Sequence, residues 1–173
     1  MIAIRSLHPN DLSLISEIDV TEDGDTFYQY DHGRLRECTE PWRRPRWDAA
    51  EVQRRIAEFE RLLAGGGAVL GAFDGDQLVG AASLRYHLEA DMAQLASLHV
   101  SQSHRRLGVA SALAAEIFRL ARESGAKRIY VSATPSRSAI GFYRRQGFEL
   151  AEKVNDELFA LEPEDIHLIK MLS

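Results

Sequence analysis

Apolar and polar residues follow two different periods along the chain, and these periods predict a mixture of strands and helices. Residues 2–7 alternate as in a short strand. Behind Pro9, which suits the first turn of a helix, Leu12, Ile15 and Ile18 recur at helical spacing. The chain is therefore predicted to open with a strand followed by a helix.

A second helix is predicted immediately after Asp48. Asp48 and Glu51 have the spacing of a capping box, and the apolar residues from Val52 to Leu63 form one stripe at helical spacing. The glycines at 65–67 then end this helix. They lead into a strand rather than a helix, which excludes a dinucleotide-binding fingerprint.

The second half of the chain continues this alternation. Strands are predicted at 68–73, 78–86, 92–101, 129–133, 148–154 and 166–172, and helices at 109–125 and 135–147. The order predicts an α+β (mixed α/β) architecture, in which helices cover the faces of a mixed sheet. No repeat or linker interrupts the pattern, so residues 1–173 are predicted to form a single domain.

Residues 19–47 show neither the strand period nor the helix period. Glycines, prolines, aromatic residues and charges are mixed in this segment, and we predict an irregular structure for it. A long irregular segment in a compact domain is more often functional or mobile than idle.

The composition narrows the class of protein. The 173 residues carry a formal charge of −5, which argues against a general nucleic-acid binder, because such proteins present a basic surface. Cys38 is the only cysteine, so no intramolecular disulfide can form and a cytoplasmic location is expected. No apolar run has the length of a signal-peptide core or a membrane span, and we predict neither membrane association nor a metal site.

The most informative segment is the turn Arg105–Ala110, which connects a strand to a helix. A helix N-terminus presents unpaired N–H groups and the positive end of a dipole, so it suits an anion. Gly108 and Ala110 leave the backbone open to phosphate oxygens, and Arg105 and Arg106 add positive charge. A P-loop is excluded because no Gly-Lys-Ser/Thr follows. From the residues alone, an ordinary helix start with a basic rim is an equal alternative.

Two motifs make the sequence resemble the GNAT superfamily of N-acetyltransferases. The cofactor signature of the superfamily, Gln/Arg-x-x-Gly-x-Gly/Ala, is matched by Arg105, Gly108 and Ala110. Its second signature, Asn-x-x-Ala-x-x-aromatic-Tyr followed by Gly-Phe, is matched by 136–143 and 147–148, with serine in place of the asparagine. Either motif alone is weak, but both occur in the expected order, and the resemblance covers residues 68–150 well.

The resemblance implies a fold and a co-substrate. The fold is a twisted, mostly antiparallel sheet of about six or seven strands with one splayed parallel pair, flanked by about four helices. Acetyl-CoA would lie in the splay, between the strands that end near Val100 and Ala133, and 93–150 would form the cofactor-binding core. The predicted cofactor-binding residues are Leu98, His99, Val100, Arg105, Arg106, Leu107, Gly108, Val109, Ala110, Ser111, Ser136 and Tyr143.

Acetyl transfer needs a neutral attacking amine, stabilisation of an oxyanion and a proton for the leaving thiolate. The backbone N–H of Val100 is the predicted oxyanion donor. Tyr143 is the predicted general acid, because a phenol with a pKa of about 10 is protonated at neutral pH. Ser136 can still cap its helix in place of the asparagine of the superfamily.

No residue is assigned as the general base. On the strand before the loop, alternation places Gln94 and Ala96 on the face of Leu98 and Val100, and neither can act as a base. Alternation turns His99 to the opposite face, where a packed histidine is expected. The amine proton can also leave through ordered water.

The leading hypothesis is transfer of the acetyl group from acetyl-CoA to a primary amine of a small molecule, by direct attack in a ternary complex. The segment 19–47 is the predicted acceptor region, because aromatic faces beside carboxylates suit a cationic amine. The candidate acceptor-site residues are Phe27, Tyr28, Tyr30 and Trp42, with a local hydrophobic cluster as the alternative. A protein or peptide N-acetyltransferase and a non-catalytic acyl-CoA-binding regulator are the other functions considered, and a homodimer is compatible with all three.

Overall fold

The computed structural model of the chain describes all residues, 1–173, in one seven-stranded sheet, a two-stranded hairpin and the helices around them. The strands are β1 (Ile2–Ser6), β2 (Glu22–Asp31), β3 (Arg34–Arg44), β4 (Ala68–Asp74), β5 (Gln77–Glu89), β6 (Met92–Val100), β7 (Arg128–Ala133), β8 (Glu149–Leu150) and β9 (Ile166–Met171). The α-helices are α1 (Ala49–Ala64), α2 (Val109–Glu123), α3 (Arg137–Arg145) and α4 (Asp156–Leu161), and 3₁₀ helices span Pro9–Glu17 and Gln102–His104.

The sheet has the strand order β1-β4-β5-β6-β7-β9-β8. All neighbouring pairs are antiparallel except β6 and β7, which are parallel. A mostly antiparallel sheet with one parallel pair and helices on its faces confirms the predicted α+β class.

Helices enclose a hydrophobic cluster on each face of the sheet. Leu113 and Ile117 of α2 and Ile140 of α3 belong to the larger cluster. Phe59 of α1 and Leu12 of the first 3₁₀ helix belong to the other. These two layers position β6 and β7, between which the candidate site opens.

Residues 22–44 form a β-hairpin, so the prediction of an irregular segment over 19–47 is wrong. β2 and β3 pair around a turn at His32 and Gly33, whose φ angles of 48° and 84° suit a two-residue hairpin turn. Most side chains of the hairpin are exposed or half-buried. Because the period-2 signal depends on one buried face, the sequence pattern did not reveal these strands.

The segment after Phe148 also differs from its prediction. β8 has two residues instead of a strand over 148–154, and the chain then forms α4. Asn155 caps this helix by accepting a hydrogen bond from the N–H of Leu158 at 3.0 Å. Its six residues are too few to show a helical period, so the sequence pattern missed it.

A β-bulge in β6 changes which residues share a face. The pairing of β6 with β5 shifts register at Ala96, which is the extra residue. Leu95 therefore packs in the larger cluster together with Leu98 and Val100, whereas Gln94 does not. The prediction that Gln94 shares that face is wrong, because alternation does not continue across a bulge. Ala96, the extra residue, is exposed and lines the same cleft as Leu98 and Val100.

No helix of the chain combines the length and the apolar character that crossing a membrane requires, and the longest, α1, has 16 residues.

Candidate active site

The parallel strands β6 and β7 separate after a short paired region. They pair only from Met92 to Gln94 on β6, and beyond these residues they part. Ser101 donates its N–H to Val79 O at 2.8 Å, towards β5. Because N–H directions alternate along a strand, the N–H groups of Leu98 and Val100 point into the gap on the β7 side.

The loop before α2 presents a row of unpaired N–H groups. The backbone N–H groups of 106–111 have no acceptor within the chain. Gly108 is the N-cap of α2 with a φ of 83°, a conformation that favours glycine, and a Cβ added there would meet no atom within 4 Å. Arg106 also has a positive φ, 62°. The loop thus has the open space and the donors that an anion requires.

Arg105 connects three segments at the edge of this loop. Its Nη1 donates to Thr21 O at 2.8 Å, and its Nε donates to Val100 O at 3.3 Å. The guanidinium therefore holds the end of β6 against the start of the hairpin. Arg106 and Leu107 are exposed beside it.

Helix α3 positions Ser136 and Tyr143 on the other side of the gap. Ser136 is the N-cap, and its hydroxyl accepts a hydrogen bond from the N–H of Ala139 at 3.2 Å. This cap confirms that serine can start the helix in the position of the superfamily asparagine. Tyr143 is buried, and burial together with the nearby carboxyl of Asp165 raises the pKa of its phenol.

A single cleft of about 1050 Å³ joins the loop, the gap and the hairpin. Of the predicted cofactor-binding residues, it is lined by Leu98, His99, Val100, Arg105, Arg106, Gly108, Val109, Ala110, Ser111, Ser136 and Tyr143. Leu107 is the one that does not line it.

The four aromatic residues proposed for the acceptor wall, Phe27, Tyr28, Tyr30 and Trp42, do not line this cleft. Tyr28 packs against the larger hydrophobic cluster, and Tyr30 is 53% exposed. The indole of Trp42 donates to Thr26 O at 2.9 Å within the hairpin. The hairpin contributes Glu22, Asp23 and Arg44 to the cleft instead, near its base. The side chains of Glu22 and Arg44 are partly buried there, whereas that of Asp23 is mostly exposed.

The hairpin also covers one side of the cleft. Tyr28 donates its N–H to Pro135 O at 2.7 Å, and Glu37 forms an ion pair with Arg137 at the start of α3. Ser138 donates a hydrogen bond to Glu22, which also pairs with Arg44 at 3.4 Å. These contacts join β2 and β3 to the helix that carries Tyr143.

Two carboxyl groups that the sequence analysis did not identify, those of Glu162 and Asp165, line the cleft. Asp165 immediately precedes β9, and its carboxylate accepts a hydrogen bond from Ser132 Oγ at 3.1 Å. Burial, followed by a hydrogen bond to Glu162, raises the pKa of Asp165 to about 8. The only sequence signal is a run of acidic residues before a strand, which resembles an ordinary solvated turn.

His99 points to the α1 side of the sheet, as strand alternation after the bulge predicts. Its ring lies edge-on to Trp47, with centroids 4.9 Å apart. Burial and the neighbouring arginines Arg55, Arg44 and Arg105 lower the pKa of His99 to about 3, so the imidazole is neutral at physiological pH.

Comparison with known proteins identifies a family. Residues 28–148 match the family described as "Acetyltransferase (GNAT) family". No curated protein matches the sequence.

Several solved structures share the fold over nearly the whole chain. Nourseothricin acetyltransferase is 22% identical with a TM-score of 0.77, and the match covers 99% of both chains. A protein described as a streptothricin acetyltransferase from Bacillus anthracis strain Ames, in complex with acetyl coenzyme A, is 18% identical with a TM-score of 0.71, over 98% of this chain and 96% of the other. PaiA N-acetyltransferase from Thermoplasma acidophilum, in complex with coenzyme A, is 17% identical with a TM-score of 0.62, over 99% of both chains.

Proposed function

The chain belongs to the GNAT family of acetyltransferases and is an N-acetyltransferase with acetyl-CoA as co-substrate, and we propose that its acceptor is a primary amine of a small molecule. The observation that supports the proposal is a single cleft. It runs from the loop before α2, past the separated strands β6 and β7, to Glu162, Asp165 and the base of the hairpin. Such a cleft accommodates an extended co-substrate and an acceptor in one ternary complex.

The loop before α2 fits the pyrophosphate of acetyl-CoA. Its unpaired N–H groups at 106–111 supply donors, and the open space at Gly108 lets phosphate oxygens approach the backbone. Acetyl-CoA supplies the acetyl group as a thioester, and Leu98 offers its N–H to the pantetheine from β6. The side chain of Arg105 contributes indirectly, by holding the end of β6 in place.

Val100 and Tyr143 are the proposed catalytic groups on this side of the cleft. The Val100 N–H points into the gap and is proposed to stabilise the oxyanion as the amine attacks the acetyl carbon. As the carbon–sulfur bond breaks, Tyr143 donates its proton to the thiolate. The raised pKa of Tyr143 keeps this phenol protonated across the physiological range.

Asp165 is the proposed general base. It lines the same cleft, and it is near enough to Tyr143 for its charge to raise the pKa of that phenol. Its own pKa of about 8 is suitable for accepting the amine proton near neutral pH, because a base is most effective when its pKa is near the operating pH. Glu162 lines the same cleft and its carboxyl raises the pKa of Asp165, so we propose it as a positioning residue.

A small-molecule acceptor is favoured over a peptide because the hairpin covers one side of the cleft. A peptide substrate needs an open groove on both sides of the reacting nitrogen. The contacts of Tyr28 with Pro135 and of Glu37 with Arg137 hold the hairpin over α3 and restrict such a groove.

The proposal is tested by measuring thiol release from acetyl-CoA with a panel of acceptors. The panel contains simple amines, amino acids, aminoglycosides, peptides, nourseothricin and streptothricin; the last two are included because similar structures bear their names. We expect turnover with at least one small amine and acetylated product by mass spectrometry. Turnover confined to peptides would replace the small-molecule proposal with a peptide acceptor.

A further inference from the structure

Only two buried side-chain nitrogen or oxygen atoms of the chain lack a hydrogen-bond partner, and both belong to residues that line the cleft beside Trp47. They are Nε of Arg55 and Nε2 of His99. Both residues line the cleft, and both contact Trp47, the guanidinium of Arg55 at 4.5 Å and the ring of His99 at 4.9 Å between centroids. Buried polar atoms nearly always have a hydrogen-bond partner, so two neighbouring ones without a partner indicate that a ligand binds there.

Arg55 is a cleft cation that forms no ion pair, although Glu58, Glu51 and Glu162 are near enough for their charges to act on its pKa. Among the other arginines nearby, Arg44 and Arg105 both lie within ion-pair distance of Glu22, at 3.4 and 3.9 Å. Arg55 takes part in none of the ion pairs of the chain, and its pKa is lowered first of all by burial. Arg55 is partly buried, and only its Nε is buried without a partner. A partly buried charge without an ion pair contributes little to the stability of the fold, so its place beside a cleft suggests a functional reason.

The groups around the Arg55 guanidinium favour the binding of an anion. His99 is neutral at physiological pH, so its ring can donate one N–H hydrogen bond to that anion without adding a second positive charge beside Arg55. The guanidinium lies over the face of Trp47, which leaves its edge free to bind. A planar guanidinium edge matches a carboxylate, because two parallel N–H groups can bond to its two oxygens.

We propose that the acceptor amine carries a carboxylate and that Arg55, assisted by His99, binds this carboxylate. The inference rests on the proposed acetyl transfer and specifies the class of its acceptor. His99 and Val100 are consecutive on β6, about 3.3 Å apart along the strand. The carboxylate and the reacting nitrogen would therefore belong to one small acceptor, as in an amino acid.

The test compares matched pairs of acceptors. Each pair consists of an amino acid and its carboxamide, with α-, β- and γ-amino acids represented, and kcat/KM is measured for both members. We expect the free acid to be preferred by at least about tenfold in one or more pairs, because a hydrogen-bonded charge contributes strongly to binding. Arg55→Leu should remove this preference, and Arg55→Lys should retain part of it.

Arg54→Gln is the matched control, since Arg54 precedes Arg55 on α1, is exposed, and does not line the cleft. It should keep the preference for the acid. The affinity for acetyl-CoA, measured by calorimetry, should be unchanged in Arg55→Leu, and the melting temperature should be equal or higher because a partly buried charge without an ion pair is removed.

The outcomes separate this inference from the proposed function. Turnover of acids and carboxamides at equal rates, or a preference that survives in Arg55→Leu, would overturn the carboxylate site and leave acetyl transfer intact. A loss of acetyl-CoA affinity in Arg55→Leu would assign Arg55 to the co-substrate and also overturn it. No turnover with any acceptor would instead contradict the proposed function itself.

Discussion

At the scale of single residues, proton affinity distinguishes the candidate catalytic groups from their neighbours. The phenol of Tyr143 and the carboxyl of Asp165 both have raised pKa values, and burial is the main cause for each. The first group therefore stays protonated and can donate. The second titrates near neutral pH and can accept.

Replacing Tyr143 with phenylalanine is predicted to slow turnover at least about 100-fold, in the range that general acid catalysis contributes. The ring remains in the hydrophobic cluster, so the melting temperature and the affinity for acetyl-CoA should change little. Steady-state kinetics and calorimetry measure the two effects. Tyr130→Phe is the control, because Tyr130 is buried and bonds to His167 at 2.6 Å outside the cleft. Equal loss in both variants would remove Tyr143 as the acid.

Asp165 is predicted to make stability depend on pH. Its pKa is raised from 3.8 to about 8, so the folded chain holds this proton more tightly than the unfolded chain does. The resulting stabilisation is complete below the unfolded value and is lost as the pH rises to the folded value of about 8. The measurement is the melting temperature of the wild type minus that of Asp165→Asn. This difference should decrease between about pH 4 and about pH 8, which are close to the unfolded and folded pKa values.

The matched control for this experiment is Glu152→Gln, an exposed carboxyl in the same connection between β8 and β9. Its difference from the wild type should stay flat over the same pH range. If the difference in melting temperature were also constant for Asp165→Asn, the carboxyl of Asp165 would be ionised in the folded chain at all these pH values. Asp165 would then not be a base whose pKa lies near neutral pH.

At the scale of elements, the start of α2 and the start of α3 form opposite walls of one gap. Gly108 begins the first helix and Ser136 caps the second. Both starts follow strands that end at the gap, so each helix brings its N-terminus to the cleft. This arrangement explains why each sequence motif includes the start of a helix.

Gly108→Glu is predicted to abolish acetyl-CoA binding, because a carboxylate would occupy the loop and repel the pyrophosphate. Calorimetry should show at least about a 100-fold weaker affinity, since the charge and the bulk both oppose binding. Gly125→Glu is the control, at the other end of α2. Gly125 has a φ of 93° against 83° for Gly108, and both have open space around them, so the backbone strain is matched. If both variants bound acetyl-CoA normally, the pyrophosphate would have to lie elsewhere.

The hairpin shows how an element can escape sequence analysis and still shape the site. Its aromatic residues suggested an acceptor wall, but Trp42 bonds within the hairpin and Tyr30 is exposed. Its contribution to the cleft is made by the charged residues Glu22, Asp23 and Arg44. Which side of each strand faces the cleft depends on the docking of the hairpin on α3, and that docking is a contact between segments far apart in sequence.

At the scale of the whole molecule, the site exists only when the sheet is assembled. The cleft draws residues from the hairpin, α1, β6, β7, α2, α3 and the segment before β9. A ligand that bridges so many elements should stabilise the folded chain, because it binds that state and not the unfolded one.

Acetyl-CoA is therefore predicted to raise the melting temperature. At about 100 times its Kd it should add about 2.7 kcal/mol, which corresponds to a shift of several degrees for a chain of this size. Differential scanning fluorimetry measures the shift, with adenosine as a ligand that lacks the pyrophosphate. No shift at millimolar acetyl-CoA would contradict the binding site proposed for it.

Features that depend on neighbouring residues could be predicted from the amino-acid sequence. Helix starts at Asp48, Gly108 and Ser136 were predictable, because a cap and the first turn that it serves lie within four residues of each other. The two motifs around Gly108 and Tyr143 likewise carried the family, the co-substrate and the general form of the fold.

The acceptor side of the cleft, in contrast, depends on contacts between distant segments of the chain. The acidic pair Glu162 and Asp165, and the unpartnered Arg55 beside His99, come from segments far apart in the chain. Burial depends on which strands and helices pack around a residue. Here it raises the pKa of Asp165, lowers the pKa values of Arg55 and His99, and leaves Arg55 Nε and His99 Nε2 without hydrogen-bond partners. A run of acids or a single arginine on a helix has the same appearance in a sequence whether it lies in solvent or in a cleft.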